Sequence, residues 1–173
     1  MANPRFDRFF SAPVQQHICF DRSKQIMKMP KENIDTIMFA PCGMNCKVCY
    51  KHCCYKKPCA GCLNNDKGKP EHCRKCKIKD CVKHKEISYC YECSQYPCKR
   101  MRDLEKSYRT RYGVSLVENS RFVKQYGISA FLERQRKVYC CPSCGGVISL
   151  HDGWCSQCHA KFCRDEGENI RLN

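Results

Sequence analysis

The sequence predicts a small metal-stabilised α+β fold, consisting of an irregular multi-zinc knuckle domain, a short helical segment and a C-terminal zinc ribbon. Three observations predict it. Thirteen of the 20 cysteines fall between Cys42 and Cys98. That stretch offers few large aliphatic side chains, namely Met44, Val48, Leu63, Ile78, Val82 and Ile87, too few to stabilise a domain of its size by apolar burial. C-x2-C pairs recur through it and return at Cys141 and Cys155. Such a pair sets two thiolates on one turn, and two pairs complete a tetrahedral Zn²⁺ site.

The alternative staple is the disulfide, which needs an oxidising compartment. The first residues hold no uninterrupted apolar stretch of the kind a secretory signal requires, and no run approaches a membrane span. A reduced, cytoplasmic, metal-bound chain with no membrane partner is therefore expected.

Residues 1–38 read as an N-terminal extension, disordered at least in part. Phe6, Phe9 and Phe10 offer a short aromatic anchor, Cys19 has no partner spacing, and RSKQIMKM suggests a short helix ended by Pro30. Residues 39–98 form the knuckle domain. Its expected ligands are Cys42, Cys46, Cys49, Cys53, Cys59, Cys62, Cys73, Cys76, Cys81, Cys90, Cys93 and Cys98, three sets of four whose pairing the order does not fix. Adjacent side chains rarely aim at one ion, so either Cys53 or Cys54 is spare; Cys53 is assigned as the ligand. Gly43 suits a turn of the backbone towards sulfur. Little helical periodicity is expected here beyond short pieces such as VKHKEIS, and residues 64–70 read as a surface turn.

Residues 99–139 change character. KRMRDLEKSYRTRY sets Met101, Leu104 and Tyr108 on one stripe of a basic helix that Gly113 stops. Ser115 and Glu118 read as a capping box opening a second helix with Leu116, Val117, Val123 and Tyr126 inward. Ser129 reads as the cap of a third, AFLERQRKVY, with Ile128, Phe131 and Leu132 inward. Residues 140–163 carry the ribbon, where Cys141, Cys144, Cys155 and Cys158 supply four thiolates and Val147, Ile148, Leu150 and Trp154 pack the hairpin between them. Cys140 and Cys163 flank the set, and at least one is expected not to be a ligand. Residues 164–173 read as a polar, frayed tail.

The formal charge is +15, which invites a nucleic-acid reading. That figure treats thiols as neutral, whereas metal-bound cysteines are thiolates; four tetrathiolate Zn²⁺ sites would bring it to about +7. Arg102, Arg109, Arg111, Arg121, Lys124, Arg134, Arg136 and Lys137 form the candidate basic face.

Other chemistries fit less well. C42-x3-C46-x2-C49 is also the spacing that holds a [4Fe–4S] cluster in radical enzymes, but no alternation of strands and helices supplies their barrel. An iron–sulfur electron carrier using Cys42, Cys46 and Cys49 remains an alternative. The six histidines include no H-x-x-x-H pair, and His84-Lys85-Glu86 lies too close to Cys90 for a deaminase site. His72 or His84 can replace one thiolate in a site. A thiol and zinc redox sensor is a further alternative, with Cys53 or Cys54 activated by Lys51, Lys56 and Lys57.

Residues 39–162 resemble a family of small cysteine-rich bacterial and archaeal proteins of unknown function, DUF3795. The resemblance rests on APCGMNCKVC, CAGC, HCRKCKIKDC and SYCYECSQYPCKRM, with a helical segment and often a ribbon such as CPSCGG…CSQC behind them. It implies a metal-binding cysteine domain, with zinc as the metal, and brings no established reaction. The extension and the Cys53–Cys54 doublet lie outside that pattern. The expected role is a structural multi-zinc protein with about four Zn²⁺ that recognises nucleic acid or a protein partner.

Overall fold

The computed structural model describes residues 27–164 and 170–172. Through the cysteine-rich block run short elements: α1 (Tyr50–Cys53), α2 (Glu71–Arg74) and α3 (Lys77–His84), with 3-10 turns at Thr36–Met38, Cys46–Val48 and Cys90–Glu92. Three longer helices follow, α4 (Lys99–Tyr112), α5 (Leu116–Tyr126) and α6 (Ile128–Tyr139), and then a C-terminal cysteine module whose last residues pair as β1 (Phe162–Arg164) and β2 (Ile170–Leu172). The expected aromatic anchor, Cys19 and most of RSKQIMKM lie outside the described residues.

Two parts read as loose are packed. Met27–Met29 are extended, not helical, because the C-terminal module needs an edge partner: Lys28 bridges Gly146, Met29 N donates to Gly145 O (2.9 Å), and Met27 O accepts from Ser156 Oγ (2.8 Å). Met29 and Ile34 are buried with the core. In the tail, Ile170–Leu172 return antiparallel to Phe162–Arg164, which satisfies backbone groups that a frayed end would leave to water.

α4 ends as expected on Gly113, which takes the left-handed conformation at φ 62°. α5 begins at its expected cap, yet only half of the capping box forms. Ser115 Oγ accepts from Glu118 N (3.0 Å), while the Glu118 carboxylate turns outward to Arg121 (2.6 Å). The carboxylate at this helix start comes from α4: Glu105 accepts from Ser115 Oγ (2.5 Å), Leu116 N (2.7 Å) and Val117 N (3.1 Å). Burial pushes the Glu105 carboxyl up, and its donors, Ser115 and Arg109 foremost, more than reverse this, leaving it below the usual carboxylate range. α6 starts at Ile128, with Gly127 as N-cap at φ 87° in place of Ser129. Tyr126 is 57% exposed, not inward; its ring lies on Phe122 at 4.7 Å, beside the chain reversal at Gly127.

The block's few aliphatics do not form a core alone. Met44, Val48 and Val82 join Met101, Leu116, Val123, Phe131, Leu132, Tyr139, Val147 and Ile148 in one buried cluster. At its centre the buried Phe39 ring meets Phe131 edge-on at 5.3 Å and Tyr89 at 5.4 Å. Gly43, at φ 89°, presses the block against α5: a Cβ there would collide with the Leu116 carbonyl, and Asn119 Nδ2 donates to Gly43 O (3.0 Å). The C-terminal module docks through Leu150 N to Val48 O (2.9 Å) and through His151, whose ring lies among those of Tyr50 (5.0 Å), Tyr108 (5.9 Å) and Tyr112 (4.7 Å).

Two predictions follow from these contacts. Glu105→Gln removes the charge at the start of α5 and is expected to lower unfolding stability by about 1–2 kcal/mol, measured by denaturant titration. Burial, and secondarily His72, push His151 down to about 4 from its ordinary value. The unfolded chain therefore binds the extra proton first, so this contribution is complete above the ordinary histidine pKa and is lost as pH falls towards 4. His151→Phe should keep the ring packing and flatten that part of the stability profile, read as the difference between variant and parent across the window.

Candidate metal centre

Four sulfurs converge in the C-terminal module. Cys141, Cys144, Cys155 and Cys158 place their Sγ atoms all within 4.8 Å of one another, with Cys141 to Cys158 at 3.7 Å and Cys144 to Cys155 at 3.5 Å. A tetrahedral ion with bonds of about 2.3 Å to sulfur separates its ligands by about 3.8 Å, so the donor set fits a single four-coordinate ion. This cluster can hold a metal, and its thiolate chemistry suits zinc or a single iron.

The local chain is built for that approach. Cys141 N donates to Gly146 O (2.8 Å) and Gly145 N to Cys141 O (2.9 Å), closing the first turn, while Cys155 N to Ala160 O (3.0 Å) closes the second. Backbone amides two residues on point back at sulfur, Gly146 N to Cys144 (3.4 Å) and Gln157 N to Cys155 (3.5 Å). Gly146 has to lack a side chain, since a Cβ would stand 2.6 Å from Cys155 Sγ and 3.3 Å from Cys144 Sγ. Val147 and Ile148 are fully buried beneath the set, Leu150 nearly so, and Trp154 is half-buried under the Lys161 ammonium. The two environments pull the thiols apart. Burial raises Cys155, whereas at Cys144 the Gly146 amide and the neighbouring thiols outweigh burial and lower it, so Cys144 ionises ahead of Cys155. Cys140 and Cys163 stay outside the four.

In the block the cysteines gather without closing to that spacing; among the described residues the C-terminal four are the group that reaches it. Cys42 is held up by burial and then by Cys62, Cys76 and Cys90, and Cys46, also raised by burial, takes the Cys62 amide on its sulfur at 3.3 Å. Burial pushes Cys49 up to about 12, and the sulfurs that raise it further are Cys59 and Cys73. Cys49 and Cys42 also raise Cys46, so the C42-x3-C46-x2-C49 triplet stays together beside Cys62. Buried thiols with such values stay neutral unless a cation draws off the proton.

The turn expected over residues 64–70 is there, but Lys69 is no surface residue. With a side chain 2% exposed, its ammonium donates to Cys62 O (3.0 Å), Asn64 O (2.6 Å) and Asp66 Oδ1 (3.2 Å), which fixes the loop carrying Cys59 and Cys62. Three donors meet three acceptors, the condition under which an ammonium tolerates burial. The turn composition marked the loop, and nothing local marked this lysine.

Cys53 and Cys54 are both buried, with sulfurs 3.6 Å apart, inside the apolar cluster. A redox sensor needs a solvent-facing thiol beside lysines; here Lys51 lies instead over the Tyr55 ring at 3.6 Å. The candidate basic face is partly committed too. Arg102 donates to Pro97 O (2.7 Å), Arg109 pairs with Glu105 (2.6 Å), Arg121 with Glu118, and Arg136 and Lys137 with Glu133 (2.8 and 3.4 Å). Arg134 lies over the Phe122 ring, whereas Arg111 and Lys124 are exposed on α4 and α5.

Gly146→Ala should therefore separate the sulfurs. We expect the purified protein to lose one equivalent of bound metal to a competing chelator at least tenfold more readily than the parent, while far-ultraviolet circular dichroism of α4–α6 is retained. Unchanged retention of metal would mean that the four thiols do not share an ion.

No curated protein and no solved structure matches the chain. The family described as "Protein of unknown function (DUF3795)" matches residues 38–103, a shorter stretch than the resemblance over 39–162 suggested, with α5, α6 and the C-terminal cysteine module beyond it. Over the segment that carries the cysteine-rich block and the start of α4, the chain is similar to the DUF3795 family.

Proposed function

We propose that this is a structural multi-zinc protein of the cytoplasm whose folded metal modules present basic helices to nucleic acid. The observation that carries the proposal is the C-terminal donor set, whose four sulfurs lie within 4.8 Å of one another, enough to fill all four positions around a tetrahedral ion and leave none for water or substrate. Catalytic zinc keeps an open position and usually mixes nitrogen or oxygen donors; a closed tetrathiolate ribbon contributes folding energy. The block extends the same economy, with thiols close enough to raise one another around loops that have little apolar filling of their own. In this reading zinc fills the ribbon and up to three sites of the block.

Nucleic acid is favoured over a protein partner by the excess of cations, formally +15 and still about +7 when four centres are metallated. Exposed Arg111 and Lys124 lie on the helices outside the ion pairs that occupy their neighbours, and the acids of those pairs, such as Glu118, are themselves solvent-facing. Phosphate contacts of this kind release counterions and weaken steeply with salt.

Elemental mass spectrometry of anaerobically purified full-length protein should give about four zinc per chain with no visible absorption. Iron with sulfide and a visible band would replace the zinc reading. Single-stranded RNA and DNA should bind at low salt, with affinity falling log-linearly as salt rises and a slope reduced by about one in each of Arg111→Ala and Lys124→Ala. No binding at low salt would remove nucleic acid as the partner.

A further inference from the structure

We propose that Cys81, Cys90, Cys93 and Cys98 together hold a second metal ion, in a solvent-facing four-thiolate centre distinct from the C-terminal one. The inference rests on the reading above only for the identity of the ion; the grouping stands on the placement of these residues.

Three elements bring them to one place. Cys81 lies in α3, and Lys85 follows it by one helical turn, on the same face. The Lys85 ammonium lies 3.2 Å from Cys93 Sγ, so that face of α3 meets the Cys90–Glu92 turn. Within the turn Cys93 N donates to Cys90 O (3.1 Å), the geometry that sets a C-x2-C pair on one side. Cys98 is the N-cap residue of α4, and Arg100, two residues on, lines the same cleft as Cys81 and Lys85, which brings the start of α4 to this place. Besides Cys93, the sulfurs of Cys81 and Cys98 act on the same ammonium, and those of Cys98, Cys81, Cys76 and Cys93 act on Cys90; Cys76 also acts on Cys42 and Cys62, on the other side of the block.

The Lys85 ammonium is the informative contact. A cation is drawn towards nearby sulfurs, and a sulfur accepting from an ammonium, as Cys93 does, is stabilised as thiolate. Here a lysine stands in for the charge that an ion would supply. The surroundings match a centre with two net negative charges. A 330 Å³ cleft opens beside it, lined by Lys77, Asp80, Cys81, His84, Lys85 and Arg100. Cations outnumber the one carboxylate, and a thiol lines the wall. An oxyanion site would account for the cations, but it has no use for Cys81 or for the Lys85 contact with Cys93. Closing the set on Zn²⁺ exchanges that contact for bonds to sulfur and leaves Lys77, Lys85 and Arg100 as countercharges. The ion is then reachable from solvent along the cleft, past Cys81.

The test uses the zinc-loaded, full-length parent protein. A thiol-alkylating reagent is applied at increasing chelator, each cysteine is mapped by peptide mass spectrometry, and released zinc is counted with a chromogenic dye. Cys81, Cys90, Cys93 and Cys98 should be protected at first, and become reactive together in a step that releases one zinc and is separate from the step at Cys141, Cys144, Cys155 and Cys158. Full free-thiol reactivity at any of the first four in the zinc-loaded protein would overturn the grouping. If the C-terminal four are protected while those are not, this centre alone fails; if neither set is protected, the structural-zinc reading fails with it. As a second measurement, the double variant Cys93→Ser with Cys98→Ser should bind one zinc fewer than the parent while the C-terminal four keep their protection. An unchanged zinc count in that variant would overturn the proposal.

Discussion

Four thiol groups within 4.8 Å of one another form an arrangement that a folded chain does not adopt for packing alone. Thiols pack as small hydrophobes, but once ionised they repel, and in a partly buried position each charge is costly. A divalent cation would remove that conflict. Much of the C-terminal module follows from the requirement. Gly146 leaves room for two sulfurs, amide donors point at the remaining lone pairs, and the Met27 carbonyl supplies the acceptor that Ser156 lacks within its own module. The segment at 27–29 is ordered because the edge it covers would otherwise present unpaired backbone groups to solvent.

Cysteine clusters and apolar packing divide the chain between them. The block between Cys42 and Cys98 cannot bury enough aliphatic surface alone, and it does not try to. Phe39, Met44, Val48 and Val82 face a cluster completed by α4–α6 and by Val147 and Ile148. The helices act as a lid for a block whose own loops are held by cysteines and by Lys69, and the ring of His151 among three tyrosines ties the C-terminal module to both. The family match ends inside α4, yet the core continues beyond it. The helices and the C-terminal module thus complete the burial of residues that lie within the matched segment.

What the sequence revealed and what it hid divide by range. C-P-x-C-G with a second C-x2-C eleven residues on located the converging sulfurs, and the Met101, Leu104 and Tyr108 stripe with Gly113 behind it located α4 to the residue. Both signals are local, set by turn geometry and helical period. Ser115 was readable as a cap, whereas Glu105, which places a carboxylate on the same helix start, lies ten residues away in another helix. Lys69 looked like one more turn residue because its acceptors are backbone carbonyls, which carry no sequence signature. Gly127 displaced Ser129 as N-cap because the chain reverses between α5 and α6 at a positive φ, where glycine costs least.

The same distinction governs the charge. A formal +15 counts every lysine and arginine alike, but the fold sorts them into groups with different uses. Lys69 is interior. Arg109, Arg121 and Arg136 answer nearby glutamates, and exposed pairs of this kind contribute little to stability while lowering the local field. Lys85 is spent on sulfur, with Lys77 and Arg100 close by. Cations beside thiolate centres are countercharges, and their number scales with the cysteines they neutralise. Only the remainder, of which Arg111 and Lys124 are examples, is available to a polyanion. A basic cysteine-rich protein is therefore not by that fact a nucleic-acid protein; the argument has to be made cation by cation, after the sulfurs have taken their share.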